Sequence, residues 1–205
     1  SMTLHQEHRS IEERRHQLVD AAIAVLRDGG IAALTTRAVT TAAGLPHGAF
    51  HYCFASKSAL FRAVLERQLR GAMAAAFATP TTRLDPRARI AAGLAAHLGQ
   101  TKSDPATALA LVELVTHSRR DADLAELAAW EQGAYLEAVR AHVDAWSSED
   151  GITWAVPVEQ VARLLIATAD GVSGSWLADR DDTAASETVA TAARAIASLV
   201  GGGAS

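Results

Sequence analysis

Apolar residues along this chain recur at intervals of three and four and rarely alternate with polar ones, so the pattern predicts helix almost throughout. Leu18, Val19, Ala22, Ile23 and Leu26 form one stripe, which places a first helix over residues 10–28. Ser10 and Glu13 fit a capping box at its start, and Gly29 and Gly30 close it. Thr35 or Thr36 can cap a short second helix that runs through Ala43 and ends at Gly44. Pro46 suits the first turn of a third helix reaching Cys53, because proline lacks the N–H that such a turn leaves unpaired. Ser56 caps a long fourth helix with Leu60, Phe61, Val64, Leu65 and Leu69 on its core face.

Thr79, Pro80, Thr81 and Thr82 mark a break between this N-terminal part and the rest, with the fourth helix bridging the border mechanically. Pro86, Pro105 and Pro157 stand where helices should begin. The pattern gives helices over 86–100, 105–118, 121–146, 157–179 and 184–200, with a loop at 147–151. The segment 158–176 is apolar on more than one face, through Val158, Val161, Leu164, Leu165, Ile166, Val172 and Trp176. A helix of that kind packs on two sides. The last helix offers Val189, Ala192, Ala193, Ile196 and Leu199 at similar spacing. The eighth and ninth helices are therefore the expected dimer interface, through Val158, Val161, Leu165, Val172, Trp176, Val189, Ala192 and Ile196. The alternative is that both are core helices of a monomer. No period of 20–50 residues recurs, which excludes a repeat array.

Composition narrows the class. Of 205 residues, 49% are apolar and 20% charged, as in a globular and not a disordered chain. One cysteine, Cys53, leaves no internal disulfide and suits a reducing compartment. The N-terminus is polar and charged (Glu7, Arg9, Glu12, Glu13, Arg14, Arg15), and no uncharged run reaches the roughly 20 residues of a spanning helix, so a cytoplasmic protein without a membrane partner is expected. The formal net charge is −4, yet its distribution is uneven. Residues 1–70 carry nine Lys and Arg against six Asp and Glu, and the other 135 carry ten against 17. No acid stands between Asp28 and Glu66, a stretch that holds Arg37, His47, His51, Lys57 and Arg62. A surface that approaches phosphates must avoid carboxylates, which would repel the backbone.

Residues 35–57 read TTRAVTTAAGLPHGAFHYCFASK. Two short helices meet at Gly44, and Val39, Ala43, Leu45, Phe50 and Cys53 let them pack steeply against the first helix. The second of the pair then projects a polar face, as an element that enters a major groove must. In these residues the chain resembles the tetracycline-repressor (TetR) family of bacterial regulators. The match rests on Gly30, on Thr35, Thr36 and Arg37, and on Ala42, Ala43, Gly44 and Leu45. Gly48, Ala49, Phe50, Phe54, Ser56, Lys57 and Leu60 complete it. It covers roughly residues 12–66. Three positions depart from the family pattern: Pro46 replaces a Ser or Thr, His51 a phosphate-contacting Tyr (Tyr52 follows), and Thr40 an Ala at the helix crossing.

The resemblance implies an all-α fold of about nine helices: an N-terminal three-helix helix-turn-helix DNA-binding domain (1–70) and a C-terminal helical bundle for ligand binding and dimerisation (71–205). It implies phosphate contacts from Thr36, Tyr52 and Lys57, with His51 taking over the Tyr role, and base-edge contacts from His47, Gly48 and Ala49, with Arg37 joining from the second helix. The partners it implies are double-stranded operator DNA, a second copy of the chain and a small-molecule effector whose binding releases a repressor from a palindromic operator. Aromatic and polar candidates for the effector wall are His97, Glu113, His117, Trp130, Tyr135, Trp154 and Trp176. Few charges fall on the apolar faces of that half, which favours a mainly apolar effector.

Competing chemistries find less support. His47 and His51 are four apart on a helix, with Cys53 nearby, but no third ligand has metal-site spacing, so no metal is expected. Cys53 falls on the apolar side and reads as a core residue. No P-loop, G-x-S-x-G, H-E-x-x-H or G-x-G-x-x-G pattern occurs, so neither an enzyme nor a cofactor is expected. An architectural DNA binder would need only the first 70 residues.

Overall fold

The computed structural model describes residues 2–78 and 85–201, with side chains of the first helix described from Ile11 onward. The expected break at 79–82 lies outside the described residues. The all-helical expectation holds: the described residues form α1 (Met2–Ala33), α2 (Thr36–Ala42), α3 (Ala49–Cys53), α4 (Lys57–Phe77), α5 (Pro86–Ser103), α6 (Pro105–Ser118), α7 (Ala125–Asp150), α8 (Val158–Asp179) and α9 (Asp182–Ala197). A single 3-10 turn, Ala122–Leu124, precedes α7.

Packing divides the chain into two compact units, and the division is not a single cut near residue 70. The first unit holds residues up to 68 together with 105–131, and the second holds 69–104 and 132 onward. In the first, α1 packs on α2, α3 and α6. Leu18, Ala22, Leu26, Val39, Phe50, Phe54, Leu60, Phe61, Val64 and Leu114 close its core, each at most 2% exposed. In the second, α5 packs on α8 and α9, and α8 on α9, around Ile90, Leu94, Val143, Trp146, Val161, Val189 and Ile196.

Several element ends follow directly from capping chemistry. The Thr35 hydroxyl accepts from the Ala38 N–H at 3.0 Å, and that of Ser56 from the Ala59 N–H at 3.1 Å. Asp85 and Asp181 cap α5 and α9 in the same way, each at 2.9 Å. Gly44 supplies the positive φ (66°) of the turn between α2 and α3. Thr40, the departure at the helix crossing, is 1% exposed, and its hydroxyl lies 3.1 Å from the carbonyls of both Thr36 and Arg37. Its polar atom is thus satisfied inside its own helix.

Four expectations need correction. The first helix begins at Met2 and not at Ser10, because nothing between them breaks a helix, so the expected capping box stands inside it. Pro46 does not open α3: residues 46–48 form a tight turn with Ala49 N–H to Pro46 O at 2.9 Å, and no side chain caps the five-residue helix that follows. The stretch 147–150, expected as loop, continues α7 to Asp150. It is held by the Trp146 indole donating to Asp150 at 2.8 Å and by the Ser147 hydroxyl donating to the Val143 carbonyl at 2.6 Å. The last helix stops at Ala197, after which Leu199 and Gly201 hydrogen-bond with Ala155 and Thr153 at 2.7 Å.

Gly30 breaks α1 with φ 68° and ψ −172°, a conformation open essentially to glycine alone. Gly30→Ala is expected to lower stability by about 1–3 kcal/mol in urea unfolding; an unchanged midpoint would mean that the kink relaxes without cost.

Candidate nucleic-acid interface and ligand cavity

The turn and helix at 46–53 present a face of mixed character. Phe50 and Cys53 point into the core of the first unit, at 1% and 4% exposure, which fixes the roll of α3. His47, Gly48, His51 and Tyr52 are consequently exposed, Tyr52 at 80%. The His51 ring meets the Phe50 ring edge-on at 5.5 Å, and His47 lies 6.4 Å from His51. Arg37 is exposed on α2 and Thr36 is half-buried at its start. Lys57 is exposed at the first position of α4, its ammonium 5.5 Å from the Phe61 ring centroid. Ala49 departs from expectation. It is 8% exposed, because the turn at 46–48 rolls its methyl inward, so it offers little to a base edge.

A cation at the end of α3 holds the arrangement. The Arg15 guanidinium donates to the carbonyl of Cys53 and lies 4.3 Å from the Phe54 ring centroid, so α1 closes the C-terminus of α3 with charge of the favourable sign. Burial pushes the Cys53 thiol above its ordinary pKa, against the pull of Arg14 and Arg15, which suits a core residue. Among the described residues no group of three or more His, Cys, Asp or Glu could hold a metal ion.

The second unit contains a cavity of about 90 Å³ of free volume between α4, α5, α7 and α8. Its wall includes Met73, Phe77, Ile90, Leu94, Val139, Val143, Trp146, Leu165 and Ile166. Arg89, His97, Tyr135 and Asp170 supply its polar groups. Burial holds His97 below the ordinary histidine pKa, partly opposed by the charge of Asp170. Arg89 pairs with Asp150 at 3.1 Å and lies 4.9 Å from the Trp146 ring centroid. The Phe77 ring stacks on His142 at 4.1 Å.

Of the residues named from sequence for the effector wall, His97 and Tyr135 line this cavity. The other five are placed elsewhere. Glu113 and His117 are exposed on α6, and His117 faces Asp121 at 3.4 Å. Trp130 packs in the first unit under the Arg62 guanidinium, 4.5 Å from its ring centroid. Trp154 donates to the Ser147 hydroxyl at 2.8 Å. Trp176 locks the corner between α8 and α9: its indole donates to Asp182 at 2.8 Å, with Lys102 and Arg180 over its ring at 5.6 and 4.4 Å. That bond and Lys102, the larger cause, hold the Asp182 carboxyl below its usual pKa. Sequence reasoning missed Phe77, Trp146 and Asp170. Phe77 and Trp146 sit near helix ends, where the apolar stripe gives no hint of a void.

The residues expected at a dimer interface also separate. Val161, Val172, Trp176, Val189 and Ile196 are at most 8% exposed and belong to the core of their own protomer, with Val172 and Trp176 also lining a groove between α8 and α9. Val158 packs against that core, and Leu165 faces the cavity. Ala192 remains half-exposed in a shallow groove between α8 and α9, beside Ala167, Gly171, Ser175, Ala184 and Thr188.

A helix-turn-helix with an exposed, acid-free face, together with a helical unit that contains a cavity, defines a DNA-binding regulator of the ligand-responsive class. Residues 18–64 match the bacterial regulatory proteins of the tetR family, and residues 86–201 match the C-terminal region of BetI-type transcriptional repressors. The chain belongs to the TetR family of ligand-responsive transcriptional repressors. It is 27% identical over 173 residues to the nicotine-responsive transcriptional repressor HdnoR of Paenarthrobacter nicotinovorans, covering 84% of this chain and 88% of that protein. Among solved structures it resembles the multidrug binding protein EbrR complexed with imidazole (26% identity, TM-score 0.67, 94% and 93% of the two chains). It also shares the fold of a TetR-family regulator from Rhodococcus sp. (21% identity, TM-score 0.72, 90% and 99%).

The neutral form of His97 carries a consequence for stability. Its pKa is lowered in the folded protein, so on acidification the unfolded chain takes up this proton first. The stability it contributes is complete above the unfolded histidine value of about 6.5 and is lost as pH falls below it. Urea midpoints are expected to drop from about pH 7.5 to 5.5, and His97→Gln to drop less; an equal slope in both proteins would show that His97 is not the group responsible.

Proposed function

We propose that the chain acts in the cytoplasm as a homodimeric repressor, without enzymatic activity, that leaves a palindromic operator when a small, mainly apolar molecule enters the cavity of its second unit. The observation that carries this reading is α4. Its first residue, Lys57, stands on the exposed basic face, and Met73 and Phe77 near its far end line the cavity. Twenty-one residues of helix correspond to roughly 30 Å. Occupancy at Phe77 can therefore shift the position of Lys57. By linkage, operator and effector must then weaken each other's binding by the same factor.

In this reading Thr36, His51, Tyr52 and Lys57 contact phosphates, while His47, Gly48 and Arg37 reach base edges. Ala49, being buried, packs rather than reads. The partner protomer docks on the exposed face of α8 and α9, where Leu164 is 42% exposed and the small residues Ala167, Gly171 and Ala192 permit close helix approach. Two recognition helices related by a dyad would then fall about 34–36 Å apart.

Selection of bound sequences from random duplex DNA tests the proposal. A palindrome with half-sites about one helical turn apart is the expected product, and recovery of no sequence, or of one with no dyad, would refute it. For Lys57→Ala, weaker binding to all duplexes is expected, with the salt slope smaller by about 1. A loss confined to particular base substitutions would instead make Lys57 a reader of sequence.

A further inference from the structure

Helix α6 is apolar on two sides and covered on one. Between Pro105 and Thr116 it carries a single charge, Glu113. Ala110, Leu111 and Leu114 are buried, and with them the helix packs on α1 inside the first unit. Helical spacing puts Leu109, Val112 and Thr116 on the opposite side. Leu109 is 46% exposed and Val112, one turn on, 53%. Glu113, Arg119 and Arg120 are exposed around this side and give it a charged rim. Among the described residues the large exposed apolar side chains are Ile11, Tyr52, Leu109, Val112 and Leu164, and only Leu109 and Val112 share a helix. A single exposed leucine is ordinary. Two adjacent ones on a helix almost without charge form a patch, and a helix apolar on two sides packs on two sides.

We infer that this side of α6 docks on a second copy of the chain. The inference rests on the homodimer proposed above and extends its interface from α8 and α9 to the unit that carries the recognition helix. Area argues for this occupant. A stable dimer buries about 800 Å² on each partner through some 20–30 residues, and homodimer interfaces are the more apolar kind. The outward face of α8 and α9 has one large exposed apolar side chain, Leu164, set among Ala167, Gly171, Ser175, Ala184 and Thr188. Small residues let helices approach closely, but each removes little apolar surface from water. Leu109 and Val112 supply what that face lacks. The chain itself has little left to cover them: the stretches that the structure does not describe beyond α1, 79–84 and 202–205, are each shorter than half of α6. In a dimer with a two-fold axis the patch is presented by both protomers, so each apolar face is covered without exposing another. The contact would tie the two DNA-facing units to one another directly.

Sedimentation of the fluorescently labelled full chain from nanomolar to micromolar concentration gives the dimer constant. The double variant Leu109→Asp, Val112→Asp is expected to raise that Kd by at least ~10-fold, while Arg87→Asp, at an exposed position of α5, leaves it within about twofold. Because a charge on α6 could act through the fold of the protomer, a second measurement reads position alone. Cys53 is buried, so Val112→Cys adds an accessible thiol. Its reaction with a disulfide reagent should be at least ~10-fold slower above the dimer Kd than below it, and that of Arg87→Cys should be equal at both concentrations. An unchanged Kd in the double variant, or equal thiol rates for Val112→Cys in monomer and dimer, overturns the inference. A dimer that Leu164→Asp weakens and the α6 variant does not keeps the homodimer and loses the α6 contact. A wild-type chain that stays monomeric over the whole range fails at the homodimer itself.

Discussion

One unbroken helix ties the two halves of the function together. Residues 57–68 of α4 belong to the first unit and 69–77 to the second, yet the backbone hydrogen bonds run through without interruption. Leu60, Phe61, Val64 and Leu65 are buried on one side of its first half, and Ala72 on its second. In the proposed function, this helix is the element through which a change of packing near Phe77 would be felt at Lys57.

The ends of elements were the most legible part of the chain. Thr35, Ser56 and Gly44 act through their own backbone neighbours, so their roles are written locally and the structure repeats them. The prolines at 86, 105 and 157 mark helix starts for the same reason. Errors arose where a partner distant in sequence decides. Residues 147–150 carry two serines and two acids and read as a loop, yet Trp146 and Asp150 clasp one another along the helix and extend it. Likewise α6 reads as an ordinary member of the C-terminal half, and only the packing of Leu111 and Leu114 against the α1 core assigns it to the first unit.

The site was half legible, and the divide has a physical basis. An exposed, acid-free face follows from composition along one short motif, so His47, His51, Tyr52 and Lys57 could be named and are exposed. Ala49 could not be judged, since the roll of a five-residue helix depends on which of Phe50 and Cys53 reaches the core. On α8 the apolar pattern announced two contact surfaces without saying which residues serve which. Val161, Val172 and Trp176 spend their apolar area within the protomer. The outward face adds small residues such as Ala167 and Gly171 to the exposed Leu164, and a search for large hydrophobic side chains passes over the small ones. For the cavity, counting aromatic residues was a poor guide, because a tryptophan with a buried N–H needs a partner and so tends to be structural. Trp154 and Trp176 each found one, in Ser147 and in Asp182.

His97 is hard to explain as packing. A histidine pushed below its ordinary pKa by burial works against folding, since it would be better solvated outside. Elsewhere in this unit the acids that approach aromatic residues are consumed by them: Asp150 by Trp146 and Arg89, Asp182 by Trp176 and Lys102. Those pairs brace corners of the fold. Asp170 stands at the cavity wall and is itself exposed. A histidine retained against the interest of stability, in a cavity walled by one end of α4, is a feature that a ligand site explains and packing does not.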